Sequence, residues 1–160
     1  MTPEKFIFYT DGATAPTNPG PSAFAWVEIS SNDNRLKLKE YSEFIGHATN
    51  NIAEIKSILS VLSYINSNID KYINSEIKSV IDIYTDSNYA MDAITRGYMN
   101  WSYKRILHKM KNVELLSQAV VLYNKLRRES ILNIYWVRGH IGIYGNEEAD
   151  RLCNIELERN

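Results

Sequence analysis

Four acidic residues sit where regular elements begin or end, positions from which side chains can converge. Asp11 closes a strand-like stretch in Tyr9-Thr10-Asp11-Gly12, and Asp86 ends another in Tyr84-Thr85-Asp86-Ser87. Glu54 lies one turn into a helical stretch, Asn50-Asn51-Ile52-Ala53-Glu54, and Asp150 falls in a later one, Asn146-Glu147-Glu148-Ala149-Asp150. Taken singly, each reads as a solvated acid, or as a helix cap in the case of Asp86. Taken together they suggest more, because carboxylates gathered at one place repel and raise one another's pKa unless a cation offsets them. Asp11 shares a strand face with Ile7 and Tyr9, which implies partial burial, and Glu54 lies at the edge of an apolar helical stripe. Oxygen ligands without cysteine or clustered histidine select hard ions, Mg²⁺ or Mn²⁺, over zinc. Two such ions roughly 3.5–4 Å apart support phosphoryl chemistry by activating water and stabilising a leaving oxygen. Asp70, Asp82 and Asp92 lack such a setting and read as surface residues.

The elements that must hold these residues follow from periodicity. Phe6, Phe8 and Thr10 alternate with Ile7, Tyr9 and Asp11, the period of a strand. Ala23 to Ser30 and Leu36 to Gly46 repeat that pattern, joined by Asn32-Asp33-Asn34, so the chain opens as an antiparallel meander. Ile52, Ile55, Ile58, Leu59, Leu62 and Ile65 recur at spacings of three and four, which marks an amphipathic helix over about Asn51 to Ile69. Thr49 or Asn50 caps it. Ile77 to Thr85 and Ile131 to Val137 read as further strands. Helices follow Asp86-Ser87 and span about Tyr98 to Lys109, Val113 to Arg128 and Asn146 to Leu157. Strands joined by helices pair in parallel, so the sheet is mixed and helices pack on it. Trp26 and Trp136 read as core.

Composition narrows the class. The chain has 160 residues, 18 Lys and Arg against 19 Asp and Glu, a net charge of −1, and one cysteine. That length fits one domain with a sizeable core. The lone Cys153 excludes an intramolecular disulfide framework and a cysteine-rich zinc site. No apolar run approaches the ~20 residues of a membrane span, and no secretory signal is visible. Near-zero net charge argues against a polybasic protein but leaves room for a local patch that binds phosphates.

Six segments resemble the type I ribonuclease H family in order and spacing, over about Phe6 to Leu157. They are Tyr9-Thr10-Asp11-Gly12-Ala13, Asn18-Pro19-Gly20, Thr49-Asn50-Asn51-Ile52-Ala53-Glu54, Tyr84-Thr85-Asp86-Ser87-Asn88-Tyr89, Trp136-Val137-Arg138-Gly139-His140 and Gly145-Asn146-Glu147-Glu148-Ala149-Asp150. The resemblance implies an α/β, ribonuclease H-like fold: a five-stranded mixed sheet, three antiparallel strands then two parallel, flanked by helices. It implies a single catalytic domain over 1–160 with no separate hybrid-binding domain. The activity it implies is endonucleolytic cleavage of the RNA strand of RNA–DNA hybrids, leaving 5′-phosphate and 3′-hydroxyl ends. Two Mg²⁺ ions (or Mn²⁺) would be held with substrate bound. Asp11 would bridge both ions, Asp150 would help hold the one that activates water, and Glu54 with Asp86 would hold the other.

Further residues are carried over in the same way. His140, flanked by Gly139 and Gly142, is the loop histidine expected to assist proton transfer or product release, which suits an imidazole. Asn18, Asn51 and Asn88 match positions that contact the RNA 2′-hydroxyls, and amides suit that task because each donates and accepts. Thr49 and Asn50 resemble the pocket for a DNA phosphate. Trp101, Lys104, Arg105 and Lys109 belong to a basic, aromatic-laced run that corresponds to the family's protrusion onto the hybrid backbone, with Gly97 standing where many relatives have an aromatic. Glu147 takes an auxiliary place beside the metal site, and Glu148 points to water. Two other classes compete: a non-catalytic hybrid- or RNA-binding module, opposed by the complete quartet with His140, and a DNA recombinase or transposase relative, opposed by the Asn51 and His140 motifs. The expected partner is an RNA–DNA hybrid, the expected state a monomer without membrane attachment, and the expected location cytoplasmic.

Overall fold

The computed structural model describes residues 2–74, 76–97 and 113–160. Five strands form one mixed sheet among them: β1 (Lys5–Thr14), β2 (Gly20–Ile29), β3 (Lys37–Ala48), β4 (Val80–Thr85) and β5 (Ile131–Trp136). Their order across the sheet is β3-β2-β1-β4-β5. The β1–β2 and β2–β3 pairs are antiparallel, and β1–β4 and β4–β5 are parallel, as the change from period two to helical spacing implies.

Alternation along the strands sends two residue sets to opposite faces. Phe8, Trp26, Ile81, Ile83, Leu132 and Ile134 meet helix α1 (Asn50–Ser67) and helix α4 (Val113–Glu129) in the larger core. On the other face, Ala25, Val27 and Ile29 meet Leu152 and Cys153 of helix α5 (Tyr144–Arg159). Ile55, Ile58, Leu62 and Ile65 are wholly or almost wholly buried. Each is worth about 1.5–3 kcal/mol, so this stripe holds α1 against the sheet. Thr49 is the N-cap, and its side chain accepts from the Ile52 amide at 3.2 Å.

Several elements depart from the sequence reading. The fourth strand starts at Val80 rather than Ile77, because the Asn74 side chain accepts from the amides of Glu76 and Ile77 and withdraws them from the sheet. A short helix α2 (Ile69–Tyr72) precedes it. Helix α3 (Asn88–Asp92) is capped by Ser87, whose side chain accepts from the Ala90 amide, rather than by Asp86. It widens into a π turn over Ala93–Gly97, where the Thr95 hydroxyl donates to the Met91 carbonyl at 2.7 Å. Such back-bonding competes with the helical ladder. The expected helix over Tyr98 to Lys109 lies outside the described residues.

Two side chains also correct expectation. Asp82 is buried, because the register Ile7–Asp82–Asn133 places it inside the sheet, where Asn133 Nδ2 donates to it at 3.0 Å and Lys5 Nζ lies 3.5 Å away. Trp136 is 45% exposed at the end of β5, whereas Trp26 is buried as expected. Among the described residues no helix is long and apolar enough to cross a membrane.

Close approach of α1 to β1 depends on Gly12. A Cβ there would lie 2.5 Å from the Ala53 carbonyl carbon and from the Glu54 nitrogen, both backbone atoms that cannot swing away. Gly12→Ala is therefore expected to cost about 1–3 kcal/mol, the range for overpacked sites, measured as a lower denaturant midpoint with an unchanged slope.

Candidate active site

Register brings the first two carboxylates together. The parallel β1–β4 ladder ends at the pair Thr10–Thr85, so Asp11 and Asp86 follow it at one level. Asp11 does not end its strand, as the sequence suggested; it ends the parallel pairing, and β1 continues beside β2 to Thr14. Gly12 admits the first turn of α1, which delivers Glu54. One carboxylate oxygen from each of Asp11, Glu54 and Asp86 lies within 4.8 Å of the others. Asp150, from α5, lines the same cleft with Asn50, Ser87, Thr14 and His140.

Neighbours hold these groups in place. The Gly12 amide donates to Asp11 Oδ1 at 2.9 Å, and the Cys153 thiol donates to the Asp11 carbonyl, with Sγ 3.5 Å away. The Trp136 indole Nε1 donates to the Asp86 carbonyl at 3.0 Å, a contact that sequence reasoning missed by assigning this ring to the core. Gly139 leaves room for the Asp86 side chain: a Cβ there would lie 2.9 Å from Oδ2. His140 adopts φ +59° and Gly142 φ +88°, so the loop turns back over the cleft through left-handed backbone. Gly145 lets the start of α5 rest on the Tyr9 ring, where a Cβ would lie 2.2 Å from Cδ2.

Burial and mutual repulsion dominate the electrostatics. Burial pushes Asp11 well above the ordinary carboxylate range, and Asp86 and Asp150 push it further. Glu54 is likewise held well above its ordinary value, by burial first and then by Asp11 and Asp86. Burial also raises Asp86, against the opposing effects of a hydrogen bond with Glu54, its own backbone amide and, less, the charge of His140. Among the described residues, Glu54 Oε2 is the buried side-chain atom left without a hydrogen-bond partner. A buried unpaired oxygen beside two further carboxylates is costly and is what a hard divalent cation satisfies. The donor set fits Mg²⁺ or Mn²⁺.

The other expected site residues divide into three groups. Asn50 lines the cleft, its amide donates to Asn18 Oδ1 at 3.1 Å, and Thr49 caps the same helix, so the three are tied together beside it. Asn51 and Asn88 stand exposed in the first turns of α1 and α3. Trp101, Lys104, Arg105 and Lys109 lie outside the described residues. Glu147 is exposed. Glu148 does not point to water: it pairs with Arg151 at 2.8 Å and with Lys37 of β3 at 2.9 Å. The Arg151 hydrogen bonds, followed by Lys37, bring its pKa down to about 2. Thr14 and Ser87 are cleft residues that sequence reasoning did not assign to the site, although Ser87 was legible as part of a cap.

Carboxylates converging beside the end of a parallel ladder, fronted by an open cleft, define a hard-cation site on an α/β sheet. The chain belongs to the RNase H family, whose model matches residues 3–158. It is 34% identical to the ribonuclease H of Trichodesmium erythraeum over 93% of this chain and 86% of that one. It is 30% identical to the ribonuclease H of Ruthia magnifica, over 97% of each. Its fold is similar to the crystal structure of RNase H1 from the halophilic archaeon Halobacterium salinarum NRC-1, with TM-score 0.66 and 27% identity over 98% of this chain and 99% of that one.

Two predictions follow from the geometry. Folded Asp11 and Glu54 keep protons that the unfolded chain releases, so metal-free stability falls as pH rises from about 4 through the raised values. Asp11→Asn is expected to raise the thermal midpoint in EDTA at pH 7 and to change it little near pH 4; a variant no more stable than the wild type at pH 7 contradicts this. Trp136→Phe removes the donor to the Asp86 carbonyl but keeps a ring, and is expected to weaken Mg²⁺ binding roughly 10–100-fold, read by calorimetric titration without substrate.

Proposed function

We propose that this protein hydrolyses the RNA strand of RNA–DNA hybrids by metal-assisted phosphodiester cleavage, with two divalent ions engaged when substrate is bound. The observation that carries the reading is the meeting of Asp11, Glu54 and Asp86 within 4.8 Å, with Asp150 and His140 on the same cleft. Family membership supports it. Asp11 and Asp150 would hold the cation nearer the attacking water, and Asp11, Glu54 and Asp86 its companion. Bound there, divalent cations lower the pKa of water and offset charge on the leaving oxygen.

The chain's own groups supply the rest. The carboxylates of Asp11, Glu54 and Asp86 keep their oxygens within reach of one point. His140, on its left-handed turn, can take up or return a proton at the cleft mouth. Thr49 and Asn50 offer a hydroxyl and an amide to a phosphate of the DNA strand, and Asn18, Asn51 and Asn88 offer amides to ribose hydroxyls, the group that distinguishes RNA from DNA. The products of this reading carry 5′-phosphate and 3′-hydroxyl ends.

The test is incubation with Mg²⁺ and an end-labelled hybrid, beside duplex DNA and duplex RNA. Cleavage confined to the RNA strand of the hybrid is expected, and Asp11→Asn should lower turnover by at least a thousandfold while the circular dichroism spectrum is retained. Cleavage of duplex DNA with the hybrid intact overturns the reading.

A further inference from the structure

Away from the carboxylate cleft, the π turn (Ala93–Gly97) and α4 enclose a recess of about 300 Å³. Ile94 and Val120, both buried, form its floor. Thr95 and Asn124 line it, and the exposed Arg96, Arg127 and Arg128 surround it. Among the described residues no acidic side chain lines it, and none of its residues lines the carboxylate cleft. Ile94 stands six residues beyond Asn88, roughly 9 Å along a helical axis.

Three arginine side chains lining one small recess need an explanation in a chain of net charge −1. Arginine stays charged at every working pH, so the groups repel one another until an anion joins them. Basic residues in a last helical turn complement its free carbonyls, which accounts for Arg127 and Arg128 taken singly. It does not account for Arg96, which comes from a different element. The contact of Arg96 with Asp92, at 3.4 Å on the exposed surface, is of the kind worth little. Arg127 lies with its guanidinium 5.3 Å from the Tyr123 ring centroid, which restrains its head. The wall is itself a π turn, a distortion frequent at functional sites.

We infer that this recess binds a phosphate monoester, its phosphate on the three guanidinium groups and its sugar or base over Ile94 and Val120. Planar guanidinium forks match phosphate oxygens in pairs, and three cations suit a dianionic monoester better than a singly charged diester. The volume sits at the low end of small-molecule sites, about 300–1,000 Å³, which admits a nucleotide and excludes a duplex. A free mononucleotide and the phosphorylated end of a strand share this chemistry. The site is independent of the hybrid-cleavage reading, and its test uses no hydrolysis.

Calorimetric titration in EDTA, with no divalent ion to draw phosphate to the carboxylates, tests it with AMP, adenosine, and a DNA tetranucleotide with or without a 5′-phosphate. AMP is expected to bind and adenosine to give no heat. Arg127→Gln with Arg128→Gln should weaken AMP at least tenfold at an unchanged thermal midpoint. Arg96→Gln, on a separate element, gives a second reading if the double variant fails to fold: a several-fold loss sustains the site and no loss removes it. Equal binding of the 5′-phosphorylated tetranucleotide identifies a strand end, and binding of AMP alone identifies a free mononucleotide; either sustains the proposal. Silent titrations with every phosphate ligand, equal binding of adenosine and AMP, or AMP affinity indifferent to the substitutions overturns it.

Discussion

Like-charge repulsion among closely packed carboxylates is the constraint that organises this molecule. Asp11, Glu54 and Asp86 bring oxygens within 4.8 Å of one another, and the first two are almost fully buried. Left to themselves, such groups move apart or take up protons. They stay because each is anchored through backbone: Asp11 and Asp86 by the Thr10–Thr85 register, Glu54 by a helix turn that Gly12 admits, Asp86 again through its carbonyl by Trp136. Stability given up at this centre is recovered in the larger core, where α1 and α4 cover one sheet face.

The same logic explains why polar residues lie inside the sheet without disturbing it. Glu28 is buried but accepts from the Tyr72 hydroxyl, which Tyr64 also contacts. Asp82 is buried but bonded to Asn133 and close to Lys5. Buried polar groups with partners cost little, and those without cost a great deal. Glu54 Oε2 is of the second kind, which is why the unmet demand at that one oxygen marks a place for a cation.

Much of this was legible in the sequence because it rests on local pattern. Period-two alternation located β1, β2 and β3, the Ile55–Leu62 stripe located α1, and Thr49 announced its cap. The acids drew attention because the sequence pattern placed them at or near element ends, although Asp11 ends only the parallel pairing of β1 and Asp150 lies inside α5. What escaped reading depends on contacts distant in sequence. Nothing local tells that Asp82 pairs across the sheet with Asn133, that Trp136 turns outward to hold Asp86, or that Glu148 reaches back to Lys37. The delayed start of β4 was hidden because the Asn74 side chain, rather than any apolar pattern, decides it. The arginine recess was invisible for the same reason, since Arg96 and Arg127 stand thirty-one positions apart in the chain.

Asp150 rides on a different element from its companions. Its helix rests on β1, β2 and β3, and ties to β3 run through Lys37–Glu148 and Ser42–Glu156. Asp86 directly follows β4, on the other side of β1. A change in how α5 packs on β3 is therefore passed to Asp150 and, through the Cys153 thiol on the Asp11 carbonyl, to Asp11, whereas Asp86 stands beyond β1 from that helix. The cleft is built like a vice whose two jaws are seated on opposite sides of one strand, β1.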